Sequence, residues 1–240
     1  MPGTYRRVVQ PLPPWTALVL AGGRAARLGG RPKPQLEVGG RTMLDAVLAA
    51  ADGATARIVV GPPQRVPHGV LVLRENPPGG GPVAALRAGL TRVETDVVAV
   101  LAADLPFLTT EVLGQLLARL QRDGVLVVDD SGRDQLLLGV WRTAALRRML
   151  AGPAGPTSMR RLLAPLAIDR MQPAVTEGQP PPWTDCDTPA DLARARAAVA
   201  APPPVPPPGI PPPATAPRRP PPTMVFQEPA PRDDPGRPPS

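Results

Sequence analysis

Residues Thr16–Lys33 read TALVLAGGRAARLGGRPK. The apolar run TALVLA ends directly in Gly22-Gly23, and the polar remainder carries Arg24, Arg27, Arg31 and Lys33. A short apolar run bounded by glycines predicts a buried strand over Ala17–Ala21, and in an open α/β sheet ligands bind beyond the carboxyl ends of the strands. Two glycines let backbone N–H groups approach an anion without a Cβ in the way, so the loop suits phosphate. A surface connection whose arginines only meet water is the other reading of the same composition. Lys33 stands out, because it is the single lysine among 27 basic residues in a chain where arginine is otherwise used throughout.

Outward from this loop, short β-branched runs alternate with amphipathic stretches. That alternation predicts an α/β sheet with helices on both faces. Strands are expected at Ala17–Ala21, Arg57–Gly61, Val70–Arg74, Val97–Ala102, Val125–Val128 and Leu137–Trp141. Helices are expected at Met43–Ala51, Val83–Thr91, Thr110–Arg122, Thr143–Leu150, Ser158–Leu163 and Pro189–Val199. From Pro202 onward about half the residues are proline, as in PPPVPPPGIPPP, and such a segment cannot build a core. The organisation expected is an extension over 1–14, one folded domain over 15–200 and a disordered proline-rich tail over 201–240. The tail is either a solvated appendage or a polyproline ligand for a protein partner.

The formal charge of +7 is spread thinly: residues 1–14 carry +2, residues 201–240 carry +1, and the middle is left with +4. With 2% aromatic residues and no dense basic run, this suits small anionic substrates and argues against a nucleic-acid surface. Apolar runs such as VVAVLAA from Val97 fall far short of a membrane span. The lone Cys186 has no internal partner, and TALVLA, preceded by Pro11, Pro13 and Pro14, is too short for a secretory signal. A cytoplasmic protein without a membrane partner is expected.

Neither G-x-x-x-x-G-K-[ST] nor G-x-G-x-x-G opens after the first strand, and the G-x-G-x-x-A match at Gly79, Gly81 and Ala84 is interrupted by Pro82. The loop does resemble the nucleotidyltransferase signature L-A-G-G-x-x-x-R-[ML]-G-x-x-x-K, met by Leu20, Ala21, Gly22, Gly23, Arg27, Leu28, Gly29 and Lys33. GGGPVAALRAGL from Gly79, LAADLPFLT from Leu101, GRDQLLLGVWR from Gly132 and DCDTPADLARA from Asp185 follow in order. Over about residues 15–200 the chain thus resembles the molybdenum cofactor guanylyltransferase (MobA-like) family.

The resemblance implies a three-layer, Rossmann-like nucleotidyltransferase fold with a mostly parallel mixed sheet. It implies Mg²⁺-dependent transfer of GMP from GTP to a molybdopterin-type acceptor, with pyrophosphate leaving. Leu20, Ala21, Gly22 and Gly23 would contact the nucleotide, and Arg27 and Lys33 would hold its phosphates. Glu75 is the candidate for a carboxylate that contacts the nucleotide, and a solvent-facing glutamate is its plain alternative. Asp104 follows the apolar strand VVAVLA, where a carboxylate can hold Mg²⁺ against triphosphate oxygens. The nearby Pro106, Thr109 and Thr110 would equally fit a turn or helix cap there. The catalytic set expected is Lys33, Arg27 and Asp104.

One segment departs from the family pattern N-x-N-T-P-E-D-L: both asparagines are replaced, by Asp185 and Asp187. Carboxylates two apart on an extended segment point the same way and suit a further divalent ion, while Thr188 or Asp187 would cap the helix beginning near Pro189. Asp187 joins Asp104 as a candidate metal ligand, and Asp134 and Gln135 are candidates to face the acceptor. The L-A-G-G form leans towards GTP. A CTP-dependent relative, or one with another phosphorylated acceptor, is the neighbouring alternative, and a non-catalytic nucleotide-binding adaptor is the alternative of a different class.

Overall fold

Trp15–Leu20 form strand β1, and all six residues are buried, as a strand covered on both faces must be. The computed structural model describes residues 12–22, 27–28, 31–152, 157–176 and 178–200, with only the backbone described at 27, 28 and 31. The N-terminal segment 1–11, Gly23, Arg24 and the proline-rich tail from 201 therefore lie outside the described residues, as does the side chain of Arg27.

After β1 the chain makes two small ribbons, β2 (Arg27–Leu28) with β3 (Arg31–Pro32) and β4 (Glu37–Val38) with β5 (Arg41–Thr42). A 3-10 turn at Lys33–Gln35 separates them. Then come α1 (Met43–Ala50), β6 (Ala56–Val60), β7 (Val70–Leu73), α2 (Gly81–Leu90), β8 (Val97–Ala102) and α3 (Thr110–Arg119). The second half adds β9 (Gly124–Val128), β10 (Asp134–Arg142), α4 (Thr143–Leu150), α5 (Met159–Leu163), β11 (Ile168–Met171) and α6 (Pro189–Ala200). Helix starts follow the local sequence: Thr42, Thr109 and Ser158 each accept a hydrogen bond from the backbone N–H three residues on.

Seven strands make one sheet in the order β11-β9-β10-β8-β1-β6-β7. β1 pairs in parallel with both β6 and β8, β6 with β7 and β9 with β11, whereas β10 runs antiparallel to β8 and β9. The sheet is mostly parallel and mixed, as expected. β11 was not expected: IDRM is short and alternates with charged residues, and it reaches the edge of the sheet only by pairing with β9. β10 begins three residues earlier than the apolar run suggests, and the pairing slips between Gln135 and Gly139. α3 stops at Arg119, three residues short of the expected end.

The sheet's two faces fill two cores. Ala17, Val19, Ala99 and Leu101 pack with Leu44, Val47 and Leu48 of α1 and Leu113, Leu116 and Leu117 of α3. Leu18, Leu20, Val98 and Val100 pack on the other face with Leu86 and Leu90 of α2, Leu146 of α4 and Leu162 of α5. Each fully buried leucine of this kind contributes about 2–5 kcal/mol against alanine, so the layers hold the strand ends rigidly. A third, small cluster matters more for function: Leu36, Val38 and Met43 meet Cys186, Leu192 and Ala195. It ties the segment after Lys33 to the start of α6. Among the described residues no helix is long and apolar enough to cross a membrane.

Candidate active site

From β1 the chain moves to β6 and β7 on one side, then crosses to β8 on the other, so the order of the sheet reverses at the carboxyl ends of β1 and β8. Crevices form at such a switch point. Leu20 lies in register with Ala102, and the Ala103 N–H donates to the Leu20 carbonyl at 3.2 Å. The loop Ala21-Gly22 and the turn Ala103-Asp104 therefore leave the sheet side by side.

Lys33 reaches this crevice from the 3-10 turn, where Pro32 and Pro34 restrict the backbone on either side. It is one of the few buried charged residues, and its ammonium donates to both Asp104 Oδ2 and Asp187 Oδ1. Burial alone pulls the ammonium's proton affinity down, but Asp104 and then Asp187 together outweigh it and hold Lys33 above its ordinary value. Asp104 plays no capping role, since Thr109 caps α3. Two of the three expected catalytic residues, Lys33 and Asp104, thus meet at one point with Asp187, the second candidate metal ligand; the side chain of the third, Arg27, lies outside the described residues.

The DCDTP segment explains how Asp187 arrives there. Cys186 is fully buried in the third cluster, so its neighbours 185 and 187 are turned outwards. Capping falls to Thr188: its N–H and hydroxyl both donate to Asp191 Oδ2, while the Asp191 N–H donates back to Thr188 Oγ1 at 3.2 Å. This reciprocal box fixes the start of α6 and leaves Asp187 free for Lys33. The same bonds from Thr188 hold the Asp191 carboxyl below the usual carboxylate range. Asp185 does not join the pair. It lines a neighbouring cleft of about 480 Å³ with Phe107, Arg133, Gln135, Trp183 and Arg194, and its carboxyl is pushed up by partial desolvation and then by Asp187 and Asp104.

Glu75 follows β7 and is 6% exposed, which excludes the solvent-facing reading. Its Oε1 accepts the Gly79 N–H at 2.9 Å, while Oε2 is buried without a partner. A Cβ placed on Gly22 would lie 3.5 Å from Oε1 and 4.0 Å from Oε2, so the carboxylate stands directly against the glycine loop. Gly79 and Gly81 take φ values of 75° and 84°, a conformation that carries the chain from Glu75 into α2. Pro82 sits in the first turn of that helix, as its fixed φ favours.

One expectation changes, and one constraint was not expected. Asp134 makes a two-toothed ion pair with Arg170 of β11 at 2.8 and 2.9 Å, so it braces the sheet edge, whereas Gln135 does line the cleft and donates to Asp129. Gly61 was missed altogether. A Cβ there would come within 2.9 Å of the Ala21 carbonyl carbon and oxygen, so the β6 end must be glycine for the loop after β1 to pass. Its only signal in the sequence is a glycine closing a β-branched run, which also fits an ordinary turn.

Among the described residues no group of three or more acidic, histidine or cysteine side chains surrounds one point. Two carboxylates do meet at Lys33, and a donor set of that size suits Mg²⁺, which is usually held by one or two carboxylates with the rest of its shell from substrate phosphates and water.

Residues 17–172 match the family described as MobA-like NTP transferase domain. The molybdenum cofactor guanylyltransferase of Xanthomonas euvesicatoria is 31% identical over 75% of this chain and 94% of its own length. That of Acidiphilium cryptum is 32% identical over 75% of this chain and 93% of its own. Among solved structures, 2-C-methyl-D-erythritol 4-phosphate cytidylyltransferase from Thermus thermophilus shares the fold at TM-score 0.56 and 19% identity, over 78% of this chain and 98% of that one.

Proposed function

The chain belongs to the MobA-like NTP transferase family, and from that premise we propose that it transfers GMP from GTP to a molybdopterin-type acceptor in a Mg²⁺-dependent reaction. The observation that carries the reading is the meeting of Lys33 with Asp104 and Asp187 at the switch point, beside the Gly22 loop. An acceptor phosphate oxygen forms a bond to the α-phosphorus of GTP. The bond from that phosphorus to its bridging oxygen breaks, and pyrophosphate leaves with the electron pair. Such transfers depend on positioning and charge neutralisation more than on covalent chemistry.

In this reading Leu20 to Gly23 contact the nucleotide, with Arg27 and Lys33 on its phosphates. Asp104 and Asp187 hold Mg²⁺, which when bound neutralises charge on the triphosphate oxygens. Glu75 supplies specificity. Guanine presents two adjacent N–H donors on its pairing edge where cytosine presents acceptors, and the unpartnered Oε2 beside Gly22 is an acceptor awaiting a donor. The cleft holding Asp185, Gln135 and Arg133 lies next to the metal pair and is the proposed acceptor side.

A crystal grown with GTP and Mg²⁺ tests this. The guanine is expected against Glu75 and the metal on Asp104. A nucleotide seated away from the β1 and β8 ends would contradict it.

A further inference from the structure

Resting on the nucleotidyl-transfer reading above, the bridging position of Lys33 carries a second conclusion. Its ammonium does not merely lie near the acids. It donates to one oxygen of Asp104 and one of Asp187, two residues far apart in the sequence. The side chain of Lys33 is 8% exposed, that of Asp104 19% and that of Asp187 65%. The cation is thus mostly buried, and of its two acids Asp187 is the more open to water.

We propose that Lys33 is the internal counter-ion of the metal pair: its ammonium takes the place between Asp104 and Asp187 that a divalent cation would take, so metal enters only together with the triphosphate that draws Lys33 away. The carboxylate oxygens that receive the ammonium are oxygens a metal needs. A dication added while Lys33 stays would stand at contact distance from a positive charge, and on the side of Lys33 and Asp104, both mostly buried, water screens that repulsion only in part. A triphosphate changes this balance twice, by offering Lys33 new anionic acceptors and by completing the metal's oxygen shell. Pro32 and Pro34 pin the backbone at this point, while the four-carbon stem of a lysine leaves its head group free to swing. An arginine fork, planar and committed to paired carboxylates, would not exchange partners in this way.

Mn²⁺ binding to the full-length chain, followed by electron paramagnetic resonance without nucleotide, tests the idea. Wild type is expected to bind Mn²⁺ weakly. Lys33→Gln is expected to bind it tighter by about tenfold or more, since a repelling unit charge has gone, and adding Asp187→Asn should remove that gain. Equal affinity in wild type and folded Lys33→Gln would overturn the proposal. Thermal melts of wild type give a second readout that needs no variant: Mn²⁺ alone should leave Tm nearly unchanged, whereas Mn²⁺ with GTP should raise it well above GTP alone. A rise with Mn²⁺ alone as large as with both would also overturn it. If wild type gains from Mn²⁺ with GTP but Lys33→Gln shows no gain without GTP, the metal site stands and the counter-ion role falls. If Mn²⁺ adds nothing even with GTP, the proposed metal site falls, and the counter-ion role with it.

Discussion

The buried carboxylate of Glu75 accepts the Gly79 N–H through Oε1 and stands with its unpartnered Oε2 against Gly22. One side chain therefore joins the loop before α2 to the loop after β1, and its free acceptor faces the glycines expected to meet the nucleotide. A buried acceptor without a donor costs about 1–3 kcal/mol, which a guanine N–H would recover. Glu75→Gln should lower kcat/KM for GTP by about tenfold to a hundredfold, the same free energy expressed as a rate, with a smaller loss for CTP. Steady-state assays with both triphosphates check this, and equal losses would assign Glu75 to loop support alone.

Asp104→Asn should cut metal-dependent transfer by about a hundredfold or more, because the metal's charge stabilisation is worth several kcal/mol. Its amide oxygen still accepts from Lys33, so the melting temperature should stay within about 4 °C of wild type. A variant with full activity, or one that loses activity only by unfolding, would count against the assignment.

Lys33→Arg keeps the charge and changes the shape. The lysine stem is buried among Pro34 and the two acids, and the broader guanidinium cannot occupy the same point. Displacement of the phosphate contact by about 1 Å should cost roughly a hundredfold in turnover, measured by single-turnover kinetics at saturating GTP. Near-normal turnover would refute a pocket shaped for the ammonium.

Much of this site is legible in the sequence because its parts are local. The strand TALVLA, the glycines after it and the strand before Asp104 each announce themselves within a few residues, and the switch point follows from the α/β alternation. Long-range partners are not announced. That Asp185 and Asp187 both turn outwards depends on Cys186 being buried in the third cluster, and that Asp134 serves the sheet edge depends on β11, a strand too short and too charged to stand out. Gly61 is invisible for the same reason, since its constraint comes from the Ala21 backbone forty residues earlier in the chain.

Gly61→Ala should destabilise the fold by about 1–3 kcal/mol, as overpacking does. The clash is with the Ala21 backbone, so the same variant should raise KM for GTP. Denaturant melts and kinetics on one preparation check both effects. A stability loss without a change in KM would mean that β6 yields and the loop does not.

Cys186 should be inert. It is fully buried, and burial first, then Asp104, push its thiol up to about 11 from an ordinary value of 9.0. The native protein should resist a thiol reagent at pH 8 and react once unfolded. A folded pKa raised above the unfolded one contributes stability that is complete below the unfolded value and lost as pH rises through the folded one. The melting temperature should therefore fall between about pH 9 and 11, less steeply in Cys186→Ala.

Guanylyl transfer releases pyrophosphate, and that release can be followed on the purified protein. Purified protein would be given Mg²⁺, a molybdopterin-type acceptor and each of the four ribonucleoside triphosphates in turn. Release with GTP well above the other three, abolished by omitting the acceptor or the metal, is the predicted result. Preference for CTP, or no release with any triphosphate, would contradict it.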